Sequence, residues 1–266
     1  MVATDAAALL EAYDAQLRAH LPDRLPAGLR LERDGPLLRF IGEHRGFVGY
    51  RDLGGLEGPE LNELIARQVR IFRERGESFE WKLHSHDRPA DLAERLRAAG
   101  FVPEDEETVV IAPVAVAAEP SVPDGVTLRE VHKRADLDRI VRMQEAIWHH
   151  DSSWLADSLE RERAADPEGL IIVVAEAGDL VVCAGWVRFP DETEFATLWG
   201  GATLPDWRRR GIYRALVAYR ARLAEQRGRR YLQVDASDES RPILERLGFV
   251  PVTTTTPFVW SPPAER

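Results

Sequence analysis

The sequence predicts a mixed α/β protein with a mixed sheet, formed by two tandem copies of one domain at residues 1–118 and 119–266. A chain of 266 residues, 44% of them hydrophobic, is long and apolar enough for two domains with packed cores. The tetrapeptide Gly-Phe-Val-Pro at residues 100–103 recurs at residues 248–251. Each copy follows the same order of helix, strand and short helix, which indicates a duplicated domain rather than an array of short repeats.

The overall charge narrows the possible partners. The formal net charge of -10 argues against nonspecific nucleic-acid binding, which needs a basic surface. It is compatible with a cationic acceptor such as an amine. No apolar stretch is long enough to span a bilayer, and the first residues lack the basic start of a signal peptide, so we expect a cytoplasmic protein without a membrane partner.

The single cysteine, Cys183, excludes a disulfide framework and a cysteine zinc cluster. It lies in an apolar run, where a cysteine is typically a small buried residue rather than a nucleophile.

The first half alternates between helical and strand patterns. Apolar residues at helical spacing, turn residues and short β-prone runs predict the following order: a helix over 6–17, strands at 29–31, 37–41 and 46–50, a helix over 60–75 ended by Gly76, a strand at 79–84, a helix over 90–99 and a strand at 108–111. Residues 113–125 are punctuated by prolines and read as the linker between domains.

Two features of the first half bear on ligands. His84 and His86 lie at i, i+2 and invite a metal site, but no further ligands are evident nearby, so hydrogen-bonded histidines are favoured and no metal is predicted. The loop before the helix at 60–75 carries Glu57 and Glu60, which would repel an anion.

The second half repeats the pattern with a longer meander of strands. The same signals, with Asp136 as a candidate helix cap, predict this order: a strand at 126–128, helices over 137–148 and 155–165, strands at 170–175, 181–189 and 194–203, a helix over 213–227, a strand at 231–234, a helix over 241–247 and strands at 250–256 and 258–260.

The stretch from Leu198 to Tyr213 points to phosphate binding. A strand stops at Pro205, three arginines and Gly211 follow, and an amphipathic helix then begins. The turn's N–H groups and the helix dipole both favour an anion, and Gly211 permits close backbone approach. The alternative reading is a basic surface loop before an ordinary helix.

Arg208-Arg209-Arg210-Gly211-Ile212-Tyr213 resembles the Arg/Gln-x-x-Gly-x-Gly/Ala signature of the GNAT acetyltransferases, which cradles the diphosphate of acetyl-CoA. The first arginine and the first glycine match, whereas Tyr213 replaces Gly or Ala. Residues 237–249 resemble the family motif Asn-x-x-Ala-x-x-x-Tyr-x-x-x-Gly-Phe, with Gly248 and Phe249 matching. The resemblance implies two tandem GNAT-like acyl-CoA N-acyltransferase domains, the first degenerate.

The resemblance also implies site residues. Those expected to contact acetyl-CoA are Ala202, Thr203, Leu204, Arg208, Arg209, Arg210, Gly211, Ile212, Tyr213, Arg214 and Ser237. Gly200 and Gly201 favour a bulge that would turn strand N–H groups toward the thioester. Family members commonly place a base on or near this strand, which makes Glu194 the first candidate and Asp191 and Glu192 the next.

The usual tyrosine acid is replaced by Leu244, and Ser237 and Ser240 replace the Asn and Ala of the motif. Ser240, Ser237 or Tyr213 could act as the acid through a water. Trp148 and the histidines that follow it either border the acceptor pocket or form an exposed helix end.

The predicted reaction is transfer of an acyl group from acetyl-CoA to a primary amine of a small molecule or peptide, by a monomer or homodimer. A non-catalytic acyl-CoA sensor is the alternative, supported by the missing tyrosine, and a scaffold without ligand is a third reading.

Overall fold

One mixed sheet of twelve strands organises the described part of the chain, which covers residues 5–18, 20–42, 44–116 and 121–263 of a computed structural model. The strand order across the sheet is β1-β2-β3-β4-β12-β6-β11-β10-β9-β8-β7, and β5 pairs with β12 beside this path. Residues 117–120, within the expected linker, lie outside the described residues.

The first half contributes three helices and six strands within the described residues. They are α1 (Ala6–Gln16), β1 (Arg30–Asp34), β2 (Leu37–Ile41), β3 (Gly46–Gly49), α2 (Gly58–Arg75), β4 (Phe79–His84), α3 (Leu92–Ala98), β5 (Val102–Pro103) and β6 (Glu107–Pro113). The short strand β5 was not expected. Gly76 ends α2 in the left-handed conformation, with φ 66°, as its position after the apolar stripe predicts.

The second half contributes four helices and six strands to the same described region. They are β7 (Thr127–Glu130), α4 (Arg134–Trp148), α5 (Trp154–Ala165), β8 (Leu170–Ala177), β9 (Leu180–Arg188), β10 (Phe195–Thr203), α6 (Ile212–Gln226), β11 (Tyr231–Ala236), α7 (Arg241–Arg246) and β12 (Val250–Trp260). The two expected final strands form one continuous strand. Asp136 does not cap α4, whose N-cap is Lys133; its carboxylate instead pairs with Arg129 at 2.6 Å.

The two halves exchange their last strands. β6 of the first half pairs antiparallel with β11 of the second, from Tyr231 opposite Pro113 to Ala236 opposite Thr108. β12 of the second half pairs with β4 of the first, and β6 and β12 pair with each other at the centre. Four successive residues of β6, Val109 to Ala112, are fully buried. Each half therefore completes the sheet and core of the other.

We expect residues 1–118 and 119–266, produced as separate chains, not to fold on their own. Each would expose the edge strand that its partner covers and would lose apolar surface that stabilises the core. Denaturant unfolding followed by circular dichroism measures this, with the intact chain and the two co-produced halves as controls. Cooperative unfolding of either isolated half at the stability of the intact chain would contradict the expectation.

Candidate active site

A cleft opens where β10 and β11 separate. The two strands pair in parallel only from Phe195 opposite Tyr231 to Thr197 opposite Gln233. β10 then continues to Thr203 and β11 to Ala236, and the space between them is a cleft of about 680 Å³. The first half repeats this feature, since β3 and β4 also pair in parallel over three positions before they diverge.

A bulge bends β10 at the mouth of this cleft, as the two glycines predicted. Gly200 pairs with Gly185 and Ala202 pairs with Ala184, so Gly201 is an extra residue on β10. Gly200 and Gly201 have φ values of 70° and 77°, which only glycine adopts readily. A Cβ on Gly201 would lie 2.8 Å from the ring of Tyr213, so the phenol packs directly against the bulge.

A buried arginine forms hydrogen bonds to the backbone beside the bulge. The Arg220 guanidinium on α6 is only 1% exposed and donates hydrogen bonds to the carbonyl oxygens of Trp186 and Trp199, at 3.2 and 3.0 Å. Burial lowers the pKa of this guanidinium. Because these carbonyls flank the bulge on β9 and β10, Arg220 fixes the backbone that faces the cleft.

The corner of the cleft is a strand-to-helix junction. β10 is followed by a one-turn 3-10 helix at Pro205–Trp207 and then by α6, whose N-cap Gly211 has φ 84°. The first N–H groups of a helix lack intrahelical acceptors, and the helix dipole is positive there. Gly211, Ile212, Tyr213 and Arg214 all line the cleft. This junction can therefore hold an anion.

The arginines of the turn differ in their contacts. Arg208 donates to the carbonyl oxygen of Thr203 at 3.1 Å, and Arg210 donates to that of Asp206 at 3.0 Å and stacks on Trp207. Arg209 and Arg214 line the cleft and have no ion-pair partner among the described residues. Arg210 does not line this cleft. Arg209 and Arg214 are therefore the free cations that the turn and the first turn of α6 bring to it within the described residues.

Ala202, Thr203 and Leu204, whose backbone N–H groups were expected to face the ligand, differ in their positions. Ala202 and Thr203 line the cleft. The N–H of Leu204 donates to the carbonyl oxygen of Val182 at 2.9 Å, so it is not available to a ligand, contrary to expectation. The Thr203 hydroxyl donates to Cys183 Sγ at 3.1 Å. Cys183 is fully buried, and burial raises the pKa of its thiol to about 11, which fits a packing residue.

The far wall of the cleft carries two serines that precede α7. Ser237 and Ser240 both line it, and their hydroxyl oxygens are 3.3 Å apart. Leu244, in the place of the family's tyrosine, is fully buried in the core. Tyr213 brings a phenol to the same cleft, and burial raises its pKa.

Glu194 lies away from these groups. It precedes β10 at the end opposite the bulge, and its carboxylate accepts hydrogen bonds from Arg230 at 2.5 Å and from Gln16 at 3.1 Å. These bonds lower the pKa of Glu194. Its backbone N–H also donates to Gln16, so Glu194 anchors α1 to the second half. Asp191 and Glu192 lie in the turn before it, and none of the three lines the cleft.

Sequence reasoning missed an acidic group in the cleft. Glu107 on β6 and Asp235 on β11 line it, and Lys82 on β4 lies behind them. Lys82 Nζ is 2.7 Å from Asp235 Oδ2 and 3.8 Å from Glu107 Oε2. Burial raises the pKa of Glu107 to about 7; the carboxylates of Asp235, Glu80 and Glu104 add to the shift, and Lys82 opposes it. No local signal marks Glu107, which follows Glu104, Asp105 and Glu106 in a run typical of a solvated loop.

Two indoles border the same region. Trp148, at the end of α4, and Trp199, on β10, line the cleft and are 53% and 42% exposed. His149 and His150 do not line it; His149 ends α4 with φ 57°. The cleft is thus basic where α6 begins and acidic and aromatic where β6 enters.

The corresponding cleft of the first half has a different lining. It encloses about 770 Å³ between the loop before α2 and the turn after β4. Glu57 is the N-cap of α2 and Glu60 lies in its first turn, so carboxylates occupy the positive end of this helix. His84 Nε2 is 3.0 Å from the Tyr13 hydroxyl, and His86 contacts Asp14 and Thr253. His86 lies in the turn after β4 rather than on the strand.

No group of three or more His, Cys, Asp or Glu side chains in the described ranges is placed to hold a metal ion. None of the helices described is both long and apolar enough to cross a membrane.

Comparison with known proteins identifies what this chain resembles. Residues 135–249 match the model of the Acetyltransferase (GNAT) family. No curated protein matches the chain in sequence. A GCN5-related N-acetyltransferase from Kribbella flavida superposes with a TM-score of 0.63 at 18% identity, over 98% of this chain and 95% of its own.

Two further solved structures are similar over nearly the whole chain. A functionally unknown conserved protein from Staphylococcus epidermidis has a TM-score of 0.67 at 13% identity, over 94% of this chain and 97% of its own. A tandem GNAT protein from the clavulanic acid biosynthesis pathway has a TM-score of 0.62 at 15% identity, over 91% and 86%. The predicted fold class, a mixed α/β tandem GNAT fold, is thereby confirmed.

Proposed function

Because residues 135–249 belong to the GNAT acetyltransferase family, we propose that this protein is an acetyl-CoA-dependent N-acetyltransferase whose acceptor is the primary amine of a small molecule or peptide. One observation carries the proposal: the splayed strands, the bulge and the first turn of α6 line a single cleft. Acetyl-CoA supplies the acetyl group as a thioester.

The first turn of α6 is the proposed diphosphate site. Free N–H groups at a helix N-terminus and guanidinium groups are the donors that phosphate oxygens prefer. Residues 211–214 and the unpaired Arg209 and Arg214 provide both kinds of donor at one corner. Arg208 and Arg210 hold the turn itself, through the carbonyls of Thr203 and Asp206.

The bulged part of β10 is the proposed thioester site. The N–H of Thr203 is our candidate to pair with the pantetheine arm and to stabilise negative charge on the carbonyl oxygen during attack. It points away from β9, because the N–H groups of a strand alternate in direction and that of Leu204 points toward β9. Arg220 keeps this backbone in place through the carbonyls beside the bulge. Ser240, hydrogen-bonded to Ser237, is the proposed proton donor to the leaving sulfur, since Leu244 is buried and has no proton to give.

The region beyond the bulge is the proposed acceptor site. Trp148 and Trp199 offer exposed aromatic surface, and Asp235 and Glu107 give this end a negative charge. An amine with an apolar body suits this lining because its ammonium meets carboxylates while its body packs on the indoles. We propose that the first half, residues 1–118, binds no acetyl-CoA and shapes this acceptor end.

Two measurements test the proposal. Calorimetric titration with CoA should show binding, and release of free thiol from acetyl-CoA should depend on an amine from a panel of arylalkylamines, alkylamines, polyamines, aminoglycosides and peptides. Tight CoA binding without thiol release would favour the sensor, which the loss of the tyrosine at Leu244 already suggests. If saturating CoA does not raise the melting temperature, the cofactor site itself is refuted.

A further inference from the structure

Resting on the proposed function, we propose that Glu107, a residue of the first half carried into the cleft by the exchanged strand β6, is the catalytic base that deprotonates the acceptor amine. The nearest carboxylate of the second half, Asp235, is held by hydrogen bonds to Lys82 and Gln233. The active site would then be shared between the two halves.

The topology places Glu107 in the second half's cleft. The side chains of Glu107, Val109 and Ile111 lie on the same face of β6, because successive residues of a strand point to opposite faces. Val109 lies opposite Asp235 of β11, and Glu107 lies two residues before Val109, at the start of β6. Glu107 and Asp235 therefore share a face, and both line the cleft with Trp148 and Trp199.

Of the two carboxylates beside the indoles, Glu107 and Asp235, Glu107 has the freer oxygens; the third cleft carboxylate, Glu239, lies at the basic corner, 3.9 Å from Arg208. Asp235 accepts from Lys82 Nζ at 2.7 Å with one oxygen and from Gln233 Nε2 at 2.7 Å with the other. Lys82 lies 3.8 Å from Glu107, beyond hydrogen-bond distance, and Glu107 has no hydrogen-bond partner among the described residues. Its side chain is one-third exposed. A proton can therefore reach Glu107 without breaking a bond within the protein.

The surroundings of Glu107 suit a base that works near neutral pH. The charged groups that face it are Lys82 and Glu80 of β4, Asp235 of β11 and Glu104 before β6, while β12 places the uncharged Thr255 opposite it. Burial and the three carboxylates hold its pKa at about 7 against the effect of Lys82. A catalytic base is most effective when its pKa lies near the working pH.

The distance indicates transfer through water. Neighbouring strands lie roughly 4.8 Å apart, so the backbone of β6 is about 10 Å or more from that of β10, across β11. One ordered water between the amine and Glu107 spans this gap and keeps the carboxylate clear of the thioester. Such a relay is an ordinary form of general-base catalysis.

An N–H bond of the acceptor ammonium breaks, and its proton passes through water to Glu107. The freed nitrogen lone pair forms a C–N bond to the acetyl carbon, the C–S bond breaks, and its electron pair stays on sulfur. The sulfur takes a proton from the Ser240 hydroxyl, which regains one from the amide nitrogen through water, and Glu107 later releases its proton to solvent.

The test compares Glu107→Gln with Glu106→Gln in the full chain, using acetyl-CoA and the panel amine that the wild type acetylates fastest. Glu106 is the neighbouring carboxylate, hydrogen-bonded to Thr254 and outside the cleft. Glu106→Gln therefore removes the same negative charge as Glu107→Gln. We expect Glu107→Gln to lower kcat by about 100-fold or more, with CoA affinity kept within about twofold. Glu106→Gln should leave both near the wild-type values.

The pH profile separates a base from a structural residue. Because only ionised Glu107 accepts a proton, wild-type kcat should rise with pH through about 7. That rise should be absent from Glu107→Gln. Wild-type kcat in Glu107→Gln, or a rise that survives the substitution, would overturn the inference and leave the proposed function standing.

Two other outcomes are decisive. If the wild type acetylates no amine of the panel, the proposed function fails and this inference fails with it. If Glu107→Gln does not fold, Glu107→Asp carries the test, since it keeps the charge but shortens the side chain: lowered kcat with the pH inflection retained supports the base, and unchanged kcat refutes it.

Discussion

Replacing Lys82 with methionine should lower the free energy of unfolding by about 3 kcal/mol, the low end of the cost of removing one partner from a buried ion pair. The Lys82 ammonium and the Asp235 carboxylate are 2.7 Å apart, and their side chains are 15% and 14% exposed. Burial opposes charging of Lys82, but Asp235, Glu80 and Glu107 raise its pKa. Without the ammonium, these carboxylates would repel one another inside the sheet.

The effect should depend on pH with a definite sign. The pKa of Glu107 is already raised in the folded protein, and loss of Lys82, which opposes that shift, should raise it further. A group whose pKa is raised on folding stabilises the protein at low pH and loses that contribution as the pH rises through the folded value. The stability deficit of Lys82→Met should therefore shrink between pH 8 and pH 5.

Urea denaturation of three variants measures this. Lys133→Met removes the other lysine at an exposed position and should change stability by less than about 0.5 kcal/mol. Lys82→Met combined with Asp235→Asn should recover much of the loss, since both charges of the pair are then absent. A Lys82→Met protein as stable as Lys133→Met at pH 8 would show that the pair contributes nothing.

Changing Arg209 to glutamate should weaken CoA binding by about 100-fold. A hydrogen bond to a charged group contributes about 1.5–3 kcal/mol, and reversal of the charge adds repulsion of the phosphates. Arg209 lines the cleft and has no ion-pair partner in the described chain, so its loss breaks no salt bridge of the free protein.

Isothermal titration with CoA measures the affinity. Arg222→Glu is the matched control, because it makes the same change of charge on an exposed position of α6, where Arg222 stacks on Tyr219 outside the cleft. Its CoA affinity should stay within a few fold of the wild type. Equal affinities in Arg209→Glu and Arg222→Glu would place the phosphates elsewhere.

The local elements followed from the sequence because their causes are local. The apolar stripe of α2, its end at Gly76 and the strand pattern of β4 are set by residues within one or two turns of each other. The same holds for the strand-to-helix junction before α6, where a left-handed Gly211 and free helix N–H groups depend on a few adjacent residues.

The roles of individual polar groups depended on contacts distant in sequence. The strand position of Glu194 suggested a base, but Gln16 of α1 and Arg230 engage its carboxylate. The N–H of Leu204 was expected to face the ligand, but in the register of β10 with β9 it donates a hydrogen bond to the carbonyl oxygen of Val182. Neither partner is marked by a pattern around the residue itself.

By itself the sequence determined a duplicated mixed α/β fold, the order of its elements and the strand-to-helix turn at Gly211, since propensity, periodicity and turn chemistry act over short stretches. Only the tertiary structure decided that β6 and β12 change places and that Glu107 thereby enters the second cleft. The physical reason is that a last strand has the same apolar pattern whether it completes its own half or the other one. Strand pairing between halves is a long-range choice that leaves the local pattern unchanged.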